Sequence, residues 1–229
     1  MNYDSRYLEK LVKMKQVEVE NLLRRHTNDS VFVRMHYFSM DHHNNISVSL
    51  RKDAYGQEKL HKMSIMIDMK RNSPTVPHQR NIVEFPNAAK YATLLTQLGA
   101  DAIMVNTEET LYGGKLSELE PCSQAIRRTQ PNNPPACIAK DIFIHPIQIA
   151  LALENGASGV LLNTEVLGQQ RLRTMLDACT FMGVDAIVEV HTPSELEMAL
   201  SEGAVIFLVN MWDRPSGRLF PQQVRDIIT

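Results

Sequence analysis

SIMIDMKRNSP, residues 64–74, is a short apolar run that ends in a carboxylate at Asp68 and an ammonium at Lys70. The Ser73-Pro74 pair then breaks any regular element. Side chains two apart on a strand share a face, so Asp68 and Lys70 point the same way from its C-terminal end. An apolar strand that finishes in paired charges and a turn is where α/β proteins carry their chemistry.

The pattern recurs. Strand-length apolar runs are expected at 64–69, 101–105, 136–139, 159–162, 186–190 and 205–209. They are unbroken rather than alternating, as for parallel strands covered on both faces. Helical stretches are expected at 88–98, 116–128, 147–154, 172–181 and 194–202, with a weak one from Pro221. Four of them run into Gly99-Ala100, Gly156-Ala157, Gly183-Val184 and Gly203-Ala204, where glycine takes the helix C-cap. Pro193-Ser194 with Glu197 reads as a helix start with a capping box.

Repeated strand–helix units mean right-handed crossovers and a parallel sheet. No GxGxxG follows the first strand, which weakens a dinucleotide-binding sheet. The strand ends deliver Asp68 and Lys70, Asn106 and Glu108, Lys140 and Asp141, Asn163, Glu189 and His191, then Asn210. An open sheet gathers such groups at its switch point, whereas a barrel gathers them from every strand. The expected fold is therefore an α/β (β/α)8 TIM barrel, incomplete at about six units. Residues 1–63 would form an N-terminal helix and a variable connection, and 64–229 the partial barrel.

Composition bounds the rest. The 229 residues are 44% hydrophobic and 22% charged with a net charge of -2, which suits a folded core and argues against nucleic acid as partner. No apolar run approaches the roughly 20 residues that span a bilayer. The opening MNYDSRYLEK carries charge where an export signal is apolar, so the cytoplasm is expected, with a plastid address if a transit peptide precedes Met1. Cys122, Cys137 and Cys179 have no CxxC spacing and read as reduced, buried thiols. Adjacent His42 and His43 point apart and lack ligands at metal spacing, so no metal is expected. Residues 5–25 carry Leu8, Leu11, Val12, Val17, Val19, Leu22 and Leu23 near one stripe of an amphipathic helix. Residues 27–62 read as a long connection with room for one more helix.

These pieces resemble the indole-3-glycerol phosphate synthase family of (β/α)8 lyases in tryptophan biosynthesis. The resemblance runs through LEKLVKMKQVEVENL, IDMKRNSP, NTEETLYGGKLSELE, AKDIFIHPIQIALALENGASGVLL, FMGVDAIVEVHTPSELEMAL and GAVIFLVNMWD, in order. It implies Lys140 as the general acid that protonates the substrate's keto oxygen during ring closure. It implies Glu189 as the general base of the later dehydration. Lys70 would hold the anthranilate carboxylate or donate a proton, Asn210 would bind a substrate hydroxyl, and Ser73 and Glu108 would line loops beside the substrate. The implied partner is a small anionic phosphorylated substrate, with no organic cofactor, no metal and no membrane. The sequence sets no oligomeric state.

The residues also carry plainer readings. Lys140 could pair with Asp141 at the surface, Asp68 could simply pair with Lys70, and His191 reads as a structural residue. A carboxylate inside AIVEVH is costly unless it faces a polar opening, which favours a functional Glu189. Asp68 stands where the family has Glu, and Trp212 where it has Arg. Residues 64–229 account for six of the eight expected units, and the seventh and eighth, whose loops hold phosphate in such barrels, are not among them. A catalytically impaired relative kept as a binding or assembly scaffold is the alternative.

Overall fold

The computed structural model describes residues 6–26, 46–51, 57–58, 63–73, 84–213 and 218–228. His42, His43, Pro74, Arg214 and most of the 27–62 connection lie outside the described residues. The elements in order are α1 (Arg6–Arg25), α2 (Ile46–Arg51), β1 (Met66–Met69), α3 (Ala88–Gln97), β2 (Ala102–Asn106), α4 (Leu119–Thr129), β3 (Ala136–Lys140), α5 (Pro146–Glu154), β4 (Gly159–Asn163), α6 (Thr164–Phe181), β5 (Asp185–Val190), α7 (Pro193–Ser201), β6 (Ile206–Val209), β7 (Trp212–Asp213), β8 (Arg218–Leu219) and α8 (Pro221–Ile228). A 3-10 turn, Leu116–Glu118, leads into α4.

Hydrogen-bonded neighbours run β1-β2-β3-β4-β5-β6, the order of the chain itself. A doubly wound sheet needs a reversal in that order to place helices on both faces. Sequential order with crossovers of one hand leaves no switch point, which is the topology of an incomplete (β/α)8 barrel with six units. β2, β3 and β4 are buried nearly throughout, as their unbroken apolar runs require, while β1 and β6 at the two ends of the order are half-buried. The short antiparallel pair β7–β8 was not expected from sequence.

The chain divides into two compact units, each drawing on residues either side of 63. One comprises Met1–Met40, Ile142–Ala150 and Leu161–Thr229; the other comprises Asp41–Asp141 and Leu151–Val160. In the second, Ile103, Ile126, Leu119 and Ile138 are fully buried around β2, β3 and α4, together with Cys122 and Cys137. In the first, Leu162, Leu172, Met175, Met182 and Ile187 form the corresponding core. All three thiols are free and buried. Burial pushes Cys122 and Cys179 up to about 12 and Cys137 higher still, so none is a reactive thiolate at neutral pH.

The four Gly-Ala and Gly-Val turns form one repeated cap. The N–H of Ala100, Ala157, Val184 and Ala204 each returns to the carbonyl five residues back, and the glycine N–H to the carbonyl three back. This Schellman arrangement satisfies the last carbonyls of the helix and aims the chain into the next strand.

Three local expectations are corrected. The α7 cap is Thr192, whose Oγ1 accepts the Glu195 N–H at 3.2 Å, with Pro193 at the first helical position; the Ser194–Glu197 box does not form. Proline at the first helical position leaves the cap to the residue before it, and Thr192→Ala should cost about 1 kcal/mol in a denaturant melt. The helix after β4 begins at Thr164, capped by Asn163 Oδ1 on the Val166 N–H at 3.0 Å, and is broken at Gly168 (φ 60°, ψ -179°) before the predicted span. On α1 the buried stripe is Leu11, Lys15 and Val19, while Val17 is exposed. Lys15 is tolerated there because Nζ bonds Glu18 Oε2 at 2.8 Å.

Candidate active site

The sequence-predicted residues fall into two clusters, one in each unit. In the unit holding β1 to β3, Asp68 is the centre. Its Oδ2 lies 2.6 Å from Lys140 Nζ and 3.2 Å from Lys70 Nζ, so a single carboxylate oxygen serves both ammonium groups. Asp68, a short side chain, thus reaches the lysine two strands away. All three side chains stay between one-fifth and one-third exposed, so the cations are accessible from solvent. Asp141 Oδ2 accepts the Thr107 hydroxyl at 2.8 Å.

The loop after β2 frames this cluster. Glu108 is 2% exposed, and its carboxylate accepts the N–H groups of Thr110, Leu111 and Tyr112 at 3.1, 2.7 and 3.2 Å. Its own carbonyl accepts the Gly114 N–H at 2.9 Å. Three backbone donors stabilise a buried carboxylate without a cation. Glu108 therefore shapes the loop from within. Ser73, four residues after the end of β1, is buried.

Arg71 is the residue that sequence reasoning passed over. Its guanidinium makes a bidentate pair with Glu118 at 2.7 and 2.8 Å and donates to the carbonyls of Gly113 and Phe85. It also lies 4.2 Å over the Phe85 ring, which stacks on Tyr91. The Arg71 and Asn72 N–H groups both bond the Tyr112 carbonyl. Arg71 thus splices the loop that follows Lys70 to the loop after β2. Lysine could not reproduce this fork. Its partner is 47 residues away, so no short-range pattern announces it.

In the other unit, Glu189 is 7% exposed at the end of β5. Its Oε1 accepts Asn210 Nδ2 at 2.7 Å and lies 3.1 Å from His191 Nε2. Asn210 Oδ1 in turn accepts the Trp212 N–H at 2.9 Å, which fixes the amide with its nitrogen toward the carboxylate. On the other side of the imidazole, Nδ1 is 3.3 Å from Glu195 Oε2, which also accepts the His191 N–H and the Thr164 hydroxyl, each at 2.7 Å. Gln223 Nε2 bonds the His191 carbonyl. His191 thus stands between two carboxylates, one predicted as the base and one unpredicted.

Burial pushes the Glu195 carboxyl up, but the hydrogen bonds from the His191 ring, the Thr164 hydroxyl and the His191 N–H outweigh it and hold the group below its ordinary 4.5. A folded pKa below the unfolded one contributes stability that is present above 4.5 and is lost as pH falls through the folded value. Wild type should therefore lose thermal stability more steeply than Glu195→Gln as acid is added below pH 4.5. Parallel melting curves for the two proteins across that range check it.

A family model for indole-3-glycerol phosphate synthase matches residues 8–215. The chain belongs to the indole-3-glycerol phosphate synthase family. It is 33% identical over 174 residues to the indole-3-glycerol phosphate synthase of Opitutus terrae, covering 72% of this chain and 64% of that one. With the enzyme of Leptospira interrogans it shares 30% over 169 residues, 74% of this chain and 63% of the relative. A multifunctional tryptophan biosynthesis protein of Schizosaccharomyces pombe is 33% identical over 156 residues, 68% of this chain and 20% of that protein. The chain spans less than two thirds of the length of these relatives. Trp212 Nε1 is buried with no hydrogen-bond partner among the described residues. No described helix is long and apolar enough to cross a membrane.

Proposed function

We propose that this chain carries the lyase activity of its family, closing and decarboxylating carboxyphenylaminodeoxyribulose phosphate to indole-3-glycerol phosphate. The observation that carries the reading is the pair of ammonium groups, Lys70 and Lys140, gathered on one oxygen of Asp68 at the ends of β1 and β3. Two cations with only one carboxylate between them draw an anionic substrate. The ring carbon that bears the carboxylate attacks the keto carbon while Lys140 protonates the keto oxygen. Carbon dioxide leaves, and its bonding pair restores the aromatic ring. Glu189 then takes a proton from the carbon beside the nitrogen, and the new hydroxyl departs as water with a proton from Lys70. Asp68 holds the two lysines in position, Asn210 orients Glu189 and meets a substrate hydroxyl, and Ser73 and Glu108 act through the loops they occupy.

Mixing the chain with that substrate and following indole fluorescence tests the reading. Absence of signal, with Lys140 and Glu189 intact, retires it. A second reading, a binding or assembly scaffold without turnover, is favoured by Trp212, an indole at a position where the resemblance to the family implies an anion-binding guanidinium. That reading requires a stable partner on size-exclusion chromatography and fails if the chain elutes alone.

A further inference from the structure

Asn106 closes β2, and its two amide atoms have different fates. Oδ1 accepts the Glu108 N–H at 3.1 Å. A backbone N–H can only donate, so this bond settles which amide atom is oxygen. Nδ2 therefore points away from the loop. It is buried, on a residue 3% exposed, and no described group accepts from it. Leaving a buried amide donor unmatched is costly, and the Oδ1 bond to the Glu108 N–H does not relieve it.

The register shows what surrounds it. Asn106 pairs with Lys140 on β3. On its other side Met69 pairs with Val105, so Lys70 and Asn106 are the next residues along neighbouring strands. In-register residues of adjacent parallel strands stand on one face of the sheet. Asn106 thus lies between the two lysines, on the face where Asp68 Oδ2 holds both ammonium groups. An amide N–H2 and two ammonium groups line that face; the one carboxylate there, Asp68, meets both ammonium groups through Oδ2, and its Oδ1 is buried without a partner among the described residues. Donors exceed acceptors, and the group that completes such a set is an anion with two oxygens.

We propose that Asn106 is a substrate-binding residue whose Nδ2 donates to the carboxylate of an aromatic acid beside Lys70. The identity of that acid as the anthranilate moiety rests on the lyase reading above; the donor set itself does not. Asn106 fixes the carboxylate's plane where a lysine alone, as a point charge, would leave it free to rotate.

The full chain, wild type and Asn106→Leu, is titrated with anthranilate and, separately, with aniline, by calorimetry. Wild type should prefer anthranilate, and Asn106→Leu should weaken anthranilate about 10- to 100-fold, the worth of a hydrogen bond to a charged group, with aniline unchanged. The unliganded variant should melt close to the wild-type temperature, because leucine removes the unmatched Nδ2 donor together with the Oδ1 that accepts the Glu108 N–H. Equal anthranilate binding by the two proteins overturns the proposal, as does a wild type that does not distinguish anthranilate from aniline. If Asn106→Leu does not fold, Asn106→Ala takes the same titration with the same two outcomes. Asn106-dependent binding without turnover leaves the proposal standing and removes the lyase reading. Turnover with Asn106-independent binding does the reverse.

Discussion

Glu189→Gln is expected to lower turnover about 10²- to 10⁴-fold while leaving the thermal midpoint close to wild type. The glutamine has the shape of the glutamate, and its carbonyl can still accept Asn210 Nδ2, which bonds Glu189 Oε1 at 2.7 Å. What it cannot do is take a proton. The substitution therefore separates the base from the scaffold, which Glu189→Ala, removing the acceptor of Asn210 Nδ2 and the carboxylate beside His191 Nε2, would not. Steady-state rates from indole fluorescence, beside a melting curve of the same preparation, check it. Full turnover in Glu189→Gln would move the base to another group, with His191, 3.1 Å away, the first to examine.

Gly114→Ala should prevent stable folding of the loop after β2, and with it the unit around β1 to β3. A Cβ at this position would lie 1.9 Å from the Asn106 carbonyl oxygen and 2.5 Å from its carbon. Those are backbone atoms at the end of a buried strand, so the neighbour cannot rotate aside. Overpacking in a yielding core costs about 1–3 kcal/mol; against fixed backbone the cost sits at or above the upper end of that range. A loss of that size is a large part of the 5–15 kcal/mol that holds a typical domain together. The contrast is Gly99→Ala, where no heavy atom lies within 4 Å of the new Cβ and only the backbone preference at φ +90° opposes it. Denaturant melts of the two variants should place Gly114→Ala well below Gly99→Ala, and the reverse order would remove the steric account.

Most of the strand plan was readable because parallel strands are covered on both faces and so appear as bare apolar runs; β2, β3 and β4 are the clearest. The glycine turns were readable because the last turn of a helix and its cap are contiguous in sequence. Short-range signals failed where two local rules competed. Ser194 and Glu197 form as good a capping box on paper as Thr192 offers, and only Pro193 at the first helical position decides between them. Asn163 ends β4 as expected, but the capping of the next helix by its side chain was not legible. Lys15 hid in a core stripe because charge argues for the surface until a partner three residues on is seen.

In the site, Lys70 and Lys140 were legible from their positions on strands, but their shared oxygen on Asp68 was not, since 72 residues separate Asp68 from Lys140. The Glu195–His191–Glu189 arrangement escaped for a different reason. Glu195 lies at the third position of a helix, where an acidic residue has an ordinary structural explanation.

The splice at Arg71 gives an engineer an indirect control over the geometry of the lysine cluster. Tyr91, Phe85, Arg71 and Glu118 form a brace whose far members lie outside the loop it sets. Trimming Tyr91 or shortening Glu118 to aspartate would re-pitch the peptide that carries Lys70 without altering one charged atom of the Asp68–Lys70–Lys140 cluster. Selection for a new substrate could therefore begin at these outlying positions, in small steps, with the chemistry kept intact.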